Sequence, residues 1–423
     1  MTAEVAIMNR QGIALAADSA VTIGRARVWK SANKLFSMAP FNDIAIMAFG
    51  SGDFIGHPWE TVVKSFRLTV GTKRFSRVQD CADAFLKYLE GSTFGASVEE
   101  AVSVLVVFVH ELERISKSLG DYESKKEFRT LLAHRIDAER ERLEKVPENG
   151  VSLSLAEFRN KYSKIIGDLS KDAFKSHIPQ SLCAGLVEMC YETFGRTIKS
   201  DYYTGIVIAG FGTDEYFPNL INYVVDGKDE GVLRAWKDEA KSHNLNEPDV
   251  SPAVIIPFAQ SDIAVLFLEG IARSHMRWIR SSLKSLLDNK SDTLITSYVS
   301  DGNEKIVERT PQRKENSKIV RELEEEFRSY RDASVVQPIM KVIASLPKEE
   351  MAHMAEALVE LTSLRRRVDS SLETVGGPTD VAVVSKGDGL IWLKRKHYFK
   401  GELNPDYTVR KQMQFRGGED GQP

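Results

Sequence analysis

Residues 2–19 read Thr2-Ala3-Glu4-Val5-Ala6-Ile7-Met8-Asn9-Arg10-Gln11-Gly12-Ile13-Ala14-Leu15-Ala16-Ala17-Asp18-Ser19, and the reading of this stretch decides the fold. Ala3, Val5 and Ile7 alternate onto one face, Asn9 to Gly12 has the composition of a tight turn, and Ile13 to Ala17 is a second apolar run. The pattern predicts two short antiparallel strands. Val28 to Phe36 and Ile44 to Phe49 read as two more. Gly50-Ser51-Gly52-Asp53 then breaks the strand before an amphipathic stretch with Trp59, Val62, Val63 and Phe66 on one side. The chain therefore opens as a β meander that ends in a helix.

Further out the texture changes. Val98 to Leu119 has heptad-like apolar spacing, Tyr122 to Lys145 is densely charged, and Leu155–Leu169 and Leu182–Phe194 read as further helices. Strand character returns at Gly205–Phe211, Leu220–Val225 and Ala253–Phe258, and a long helix is expected from Ser261 to about Leu287. A second helical block covers Glu315–Arg331 and Lys348–Arg367, where Met351, Met354, Ala355, Leu358 and Leu361 read as core. Thr379–Ser385 and Leu390–Arg395 flank a Lys386-Gly387-Asp388-Gly389 turn and form a hairpin. Strands first, helices between and strands last, without βαβ alternation, define an α+β fold with antiparallel sheets. The expected organisation is one domain over residues 1–400, with a core of 2–92, 201–288 and 373–400. Helical insertions fill 97–200 and 289–372, and 401–423 is a flexible tail.

Composition limits the partners. The 423 residues carry 57 Lys plus Arg against 60 Asp plus Glu, a formal net charge of -3, so no basic excess attracts nucleic acid or an anionic membrane. Cys81, Cys183 and Cys190 are odd in number and lack zinc-ligand spacing, which suits a reducing compartment and implies neither a metal nor a disulfide framework. The start of the chain is not a secretory signal, and no apolar run reaches the ~18 residues of a membrane span, so a soluble cytoplasmic protein is expected. Gly56-His57-Pro58-Trp59-Glu60 reads as a Pro-initiated helix with a packed tryptophan, and Arg365-Arg366-Arg367 as a solvated helix end.

Thr2 is the candidate nucleophile. A threonine hydroxyl is a weak nucleophile unless a base adjoins it, and a residue with a free α-amine carries that base on its own backbone. Removal of Met1 before the small Thr2 would expose such an amine, whose reference pKa lies near about 7.7–8.0, and a neighbouring cation would keep more of it unprotonated.

Thr2 with Ala3 to Ile7, the turn ending at Gly12, Ala14-Leu15-Ala16-Ala17-Asp18-Ser19 and Lys30-Ser31-Ala32-Asn33-Lys34-Leu35-Phe36 together resemble the start of a mature proteasome β subunit and of its bacterial relatives such as the HslV peptidase. In that family an acid lies sixteen positions after the nucleophilic threonine and a lysine thirty-two, and here those places hold Asp18 and Lys34. The resemblance places the chain in the N-terminal-nucleophile (Ntn) hydrolase superfamily as a bacterial-type proteasome homologue with large helical insertions. It implies a four-layer αββα sandwich of two antiparallel sheets.

The roles implied are Thr2 Oγ1 as nucleophile, its α-amine as base, Lys34 as stabiliser of the ionised hydroxyl, and Asp18 as the group that orients Lys34. The family's oxyanion donor, a backbone N–H, falls among Ala48, Phe49 and Gly50, with Ala48 where the family has a glycine. Gly205 to Gly212, Pro218-Asn219-Leu220 and Asp226-Gly227 resemble later family strands. The family's supporting serine falls nearest Ser261. Glu373-Thr374-Val375-Gly376-Gly377 stands where the family has D-x-x-S-G-G, so that Glu373 and Thr374 substitute for its acid and hydroxyl.

The expected activity is that of a threonine peptidase or amidase, acting on a peptide or amide substrate through an acyl-enzyme on Thr2. A homo-oligomer is expected, no cofactor is implied, and no ATP-dependent unfoldase partner is named. Two alternatives stand beside it: a small-molecule amidase, and a catalytically silent scaffold of the same fold that binds a partner through its helical insertions.

Overall fold

A computed structural model describes residues 2–407 and 409, apart from 24–26, 30, 93, 95, 96, 177, 299–301, 369–375 and 398. Glu373 and Thr374 lie outside the described residues.

The opening alternation becomes β1 (Ala3–Asn9) and β2 (Gly12–Ala17), paired antiparallel from Glu4 with Ala17 to Asn9 with Gly12. Val28–Phe36, expected as one strand, is two: β3 (Val21–Ile23) pairs with β4 (Arg27–Trp29), and β5 (Leu35–Ser37) starts afresh. The interruption falls in the polar run Ser31-Ala32-Asn33, whose Ala32 N–H donates to Ser19 O and so turns the chain back toward β2. β6 (Asp43–Gly50) pairs with β5, and the short β7 (Asp53–Phe54) and β8 (His57–Pro58) lead into α1 (Trp59–Val70) and α2 (Val78–Gly91).

The first helical block is α3 (Ser97–Ser118), α4 (Lys125–Glu144), α5 (Leu155–Phe174) and α6 (Gln180–Phe194). Strands β9 (Thr204–Phe211), β10 (Asn219–Asp229), β11 (Val232–Lys237), β12 (His243–Asn244) and β13 (Ala253–Ala259) follow. The helix expected from Ser261 to Leu287 is broken. Gly270, at φ +68°, ends α7 (Asp262–Glu269) in the left-handed conformation that glycine adopts without steric cost, and α8 (Arg273–Tyr298) restarts beyond it. Next come α9 (Gly302–Arg331), α10 (Gln337–Ile343) and α11 (Lys348–Val368), and the expected hairpin closes the fold as β14 (Asp380–Ser385) and β15 (Gly389–Lys394).

The fold is thus α+β with antiparallel sheets. Beside the two-stranded pairs β3-β4 and β7-β8, one large sheet runs β13-β1-β2-β14-β15 and the other β11-β10-β9-β6-β5, with β12 paired to β10. β1 is buried on both faces because alternate residues enter different cores. Ala6 and Met8 join Leu15, Met47, Val207, Phe258 and Ala382 between the sheets, while Ala3, Val5 and Ile7 join Met351, Ala355, Leu358 and Val359 of α11 on the outer side. The outer face of the other sheet is covered by α1 and α2 through Val62, Phe66, Val78 and Phe85. Met351, Ala355 and Leu358 are core as expected, but Leu361 is half exposed. The buried stripe of α11 runs on instead through Val359 and Thr362.

Helices α3–α6 have a core of their own around Phe108, Phe158, Ile166 and Leu186. The fully buried Arg234 of β11 ties this block to the sheet: it pairs with Asp226 and donates to Phe194 O at 3.0 Å, Arg196 O at 2.9 Å and Ile198 O at 2.7 Å. At one end of the sheets, Lys386 Nζ donates to Gly212 O and Thr213 O at 2.9 Å each and to Glu215 O at 2.6 Å, and Gly387 N–H donates to Asp43 at 2.8 Å. The β14–β15 turn of one sheet is therefore bonded to strand ends of the other. At that end of β1, Asn9 Nδ2 donates at 2.9 Å to both Ile343 O and Leu346 O, satisfying carbonyls at the end of α10.

Candidate active site

Thr2 sits just ahead of β1, at the end of the sheet opposite Asn9. Its carbonyl accepts the Gln260 N–H at 3.1 Å, so the end of β13 fixes its backbone. Strand alternation turns Thr2 and Glu4 toward the face that carries Ala6 and Met8, between the sheets.

Asp18 follows β2 directly and is fully buried. Its own N–H donates to Ala3 O at 3.0 Å, and its carboxylate is ringed by donors. Oδ1 accepts the Ala3 N–H at 3.0 Å and Lys34 Nζ at 2.7 Å, while Oδ2 accepts the Gly376 N–H at 2.9 Å and the Ala20 N–H at 3.3 Å. Lys34 comes from the opposite sheet, one residue before β5, and is 5% exposed. Its Nζ reaches across to Thr2 Oγ1 at 3.1 Å. A buried lysine thus bridges the hydroxyl and a carboxylate that is itself held by backbone N–H groups. An ammonium so placed favours the ionised hydroxyl, since in a site this dry the attraction is little screened.

Of the three backbone groups expected as oxyanion donors, the Ala48 N–H is spent on Lys34 O at 2.9 Å. Phe49 pairs with Gly205 in the β6–β9 ladder, and the Ser51 N–H donates to Tyr203 O, so odd-numbered residues here direct their polar groups toward β9. The Gly50 N–H therefore faces the other way, past the residue where β5 begins. Gly50 has φ +95°, and a Cβ built on it would meet Tyr203 O at 2.4 Å. No other residue type fits that backbone.

Two ionisable groups not expected from the sequence lie close by. Glu4 is fully buried, and neither carboxyl oxygen has a hydrogen-bond partner among the described residues. Burial pushes its pKa well above the ordinary value, with Lys34 the chief opposing influence and Asp18 reinforcing the rise. Lys241 holds its ammonium 5.6 Å from the ring centres of both Phe49 and Phe258, and Phe258 is the cross-strand partner of Glu4. Burial, then the charge of Lys199, lowers the Lys241 pKa. Lys241 stands in a short polar connection and offers no signal in the sequence. Glu4 does offer one, as the only ionisable residue in a strand with apolar residues on both faces.

Ser261 caps the start of α7 just beyond the Thr2–Gln260 contact, and its hydroxyl makes no hydrogen bond to Thr2 among the described residues. Trp59 is packed in the core beneath α1 and donates to Thr204 Oγ1 at 3.0 Å, as its structural reading requires. Arg366 is not a free helix end: it donates to Gln260 Oε1 and lies 3.3 Å from Asp262. A cavity of about 620 Å³ lies between α11, residues 377–379 and Lys394, and its lining includes none of Thr2, Asp18 and Lys34. Among the described residues no helix is long and apolar enough to cross a membrane, and no three His, Cys, Asp or Glu side chains are placed to share a metal ion.

No family model matches the chain, and no curated protein matches it. Among solved structures, Anbu (ancestral beta-subunit) from Yersinia bercovieri aligns over 100% of this chain and 97% of its own at 10% identity, with a TM-score of 0.27. Anbu from Hyphomicrobium sp. strain MC1 aligns over 97% of this chain and 96% of its own at 10% identity, also with a TM-score of 0.27. At that TM-score the likeness carries no argument about fold or activity. These results correct the expected family. The proteasome β-subunit and HslV-like superfamily is not the assignment they return, and it is withdrawn. The resemblance rested on short motifs, and the superfamily's glycine and serine signatures are missing at Ala48, at Ala259-Gln260 and at Val375.

Proposed function

We propose that this chain hydrolyses an amide bond through an acyl-enzyme on Thr2, formed once Met1 is removed. The observation that carries the reading is the buried row Thr2 Oγ1, Lys34 Nζ and Asp18 Oδ1, with separations of 3.1 and 2.7 Å. The proposal rests on these groups and on no family. The stacking of helices, sheet, sheet and helices supports a four-layer αββα arrangement with Thr2 at the open ends of β1 and β2.

In the proposed reaction the Thr2 α-amine takes the hydroxyl proton while Oγ1 bonds to the substrate carbonyl carbon. The Gly50 N–H faces the oxyanion, and Lys34 supports the charge on Oγ1 until the bond forms. Collapse breaks the C–N bond, and the leaving amine takes the proton from the Thr2 ammonium. Water then attacks the ester by the same route, releasing the acid and restoring the hydroxyl. Loss of Met1 is needed to create the base, because only then does Thr2 carry a free α-amine.

The test is the intact mass of untagged protein before and after treatment with a β-lactone, whose ring opening acylates a reactive hydroxyl. The expected result is loss of Met1 and one adduct mapped to Thr2, absent in Thr2→Ala. Retained Met1, or equal labelling of Thr2→Ala, would overturn the mechanism and leave the silent-scaffold alternative in its place.

A further inference from the structure

Buried carboxylates are normally hydrogen-bonded, and one with no partner calls for an explanation. Glu4 is such a group. It lies two residues after Thr2 on the same face of β1, is fully buried, and finds no donor for either oxygen among the described residues. Asp18, directly after the next strand, has its oxygens supplied by Lys34 and by the backbone of Ala3, Ala20 and Gly376. Two acids in one dry space are thus treated in opposite ways: the oxygens of one are ringed by donors and those of the other meet none among the described residues.

We propose that Glu4 is a positioning residue of the Thr2 centre, a carboxylic acid kept neutral beside the nucleophile so that Asp18 alone balances Lys34. This rests on the reading of Thr2 as nucleophile. Among the described residues the charged groups around Glu4 are Asp18 after β2, Lys34 before β5, Lys241 after β11 and Lys396 after β15. Asp18 and Lys34 are paired with each other at 2.7 Å, and Lys396 is paired with Asp380. The remaining cation, Lys241, is held over Phe49 and Phe258 with its own charge disfavoured by burial. An ionised Glu4 would add an unbalanced negative charge next to the Thr2 amine. That charge would hold the amine protonated and remove the base. The neutral acid leaves it free.

Glu4→Gln copies the neutral form in shape, and the pH profile of β-lactone acylation at Thr2 reads the difference. In the wild type the rate should rise as the amine loses its proton and fall again at higher pH as Glu4 ionises. In Glu4→Gln the rate at pH 7 should stay within about twofold while the alkaline fall disappears. Superimposable profiles, or a loss of more than about tenfold at pH 7, would overturn the proposal.

A second measurement needs no activity: carbon-13 infrared spectra of Glu-labelled protein at pH 7 should show a protonated carboxyl band that Glu4→Gln lacks. If that band is absent, Glu4 is charged and the proposal fails. If the band is present but the wild type takes no β-lactone, the neutral acid stands and the Thr2 mechanism is what falls.

Discussion

Gly376 donates its backbone N–H to Asp18 Oδ2 at 2.9 Å across 358 positions of sequence, and the Ser19 N–H answers by donating to Gly376 O at 3.2 Å. The segment that leads into β14 is thereby bonded to the end of β2 at the carboxylate that orients Lys34. Removing that carboxylate would strand the N–H groups of Ala3 and Gly376 and leave Lys34 as a buried cation without its counter-charge. Asp18→Ala is expected to lower stability by about 3–5 kcal/mol, the usual cost of breaking a buried pair from one side. Chemical denaturation measures it, and an unchanged midpoint would show that Asp18 does not hold Lys34 as a charged partner.

Among the described residues, Lys34 is the one side chain hydrogen-bonded to both Thr2 and Asp18. Lys34→Met keeps its apolar stem but removes the charge, and β-lactone acylation of Thr2 should fall by about 10²–10³-fold, the range for losing one electrostatic stabiliser. Lys34→Arg should not restore it, because a planar guanidinium cannot place a single donor as an ammonium does. Recovery in Lys34→Arg would mean that positive charge alone, without the 3.1 Å geometry, is enough.

Glu4 also makes stability depend on pH. Its folded pKa lies above the ordinary 4.5, so the folded chain binds that proton more tightly than the unfolded chain does. The contribution is fully present below the unfolded value and is lost as pH rises through the folded one. Glu4→Gln cannot lose it. The stability of Glu4→Gln relative to wild type should therefore increase with pH above about 4.5, by about 1.4 kcal/mol per pH unit while the acid stays protonated in the folded state. Urea titrations of both proteins over this range would show the divergence, and parallel curves would mean that Glu4 is ionised when folded.

Asn9 tests the far end of the same strand. Its amide satisfies the carbonyls of Ile343 and Leu346, at the end of α10. Asn9→Ala should cost about 1–3 kcal/mol for the two lost hydrogen bonds, although Ile343 O keeps the Leu346 N–H at 3.1 Å. Thr2 labelling should be unaltered, because the two sites lie at opposite ends of β1. A loss of labelling would show that α10 and the Thr2 end are coupled.

The parts of this structure that can be read from sequence are those set by local pattern. The alternation of Ala3, Val5 and Ile7, the Asn9–Gly12 turn and the Lys386–Gly389 turn announce their strands directly, because side-chain period and turn chemistry act over a few residues. The β4–β5 break is hidden because an apolar run does not reveal where a long-range bond, here Ala32 to Ser19, redirects the chain. Gly270 does not announce the end of α7, because a single glycine inside a helical pattern is a weak signal until its backbone angle is known. At the site, the spacing of Thr2, Asp18 and Lys34 is visible, whereas Gly376 bonding to Asp18 and the isolation of Glu4 depend on chain segments that no local window joins. The same short spacing also suggests a family that the comparisons do not return.

The bonds from Lys386 and Gly387 to Gly212, Thr213, Glu215 and Asp43 make the two sheets unequal from end to end. They act like the spine of a book, stitched at the margin far from Thr2. The margin beside Thr2 is clasped by a side chain, Lys34, which reaches from its own sheet to Thr2 and Asp18 on the other, so amide exchange at Gly212 and Phe211 should be slower than at Gly50. A slackened stitch, as in Lys386→Ala, would leave the leaves clasped at Lys34 and speed exchange at the Phe211 end of β9.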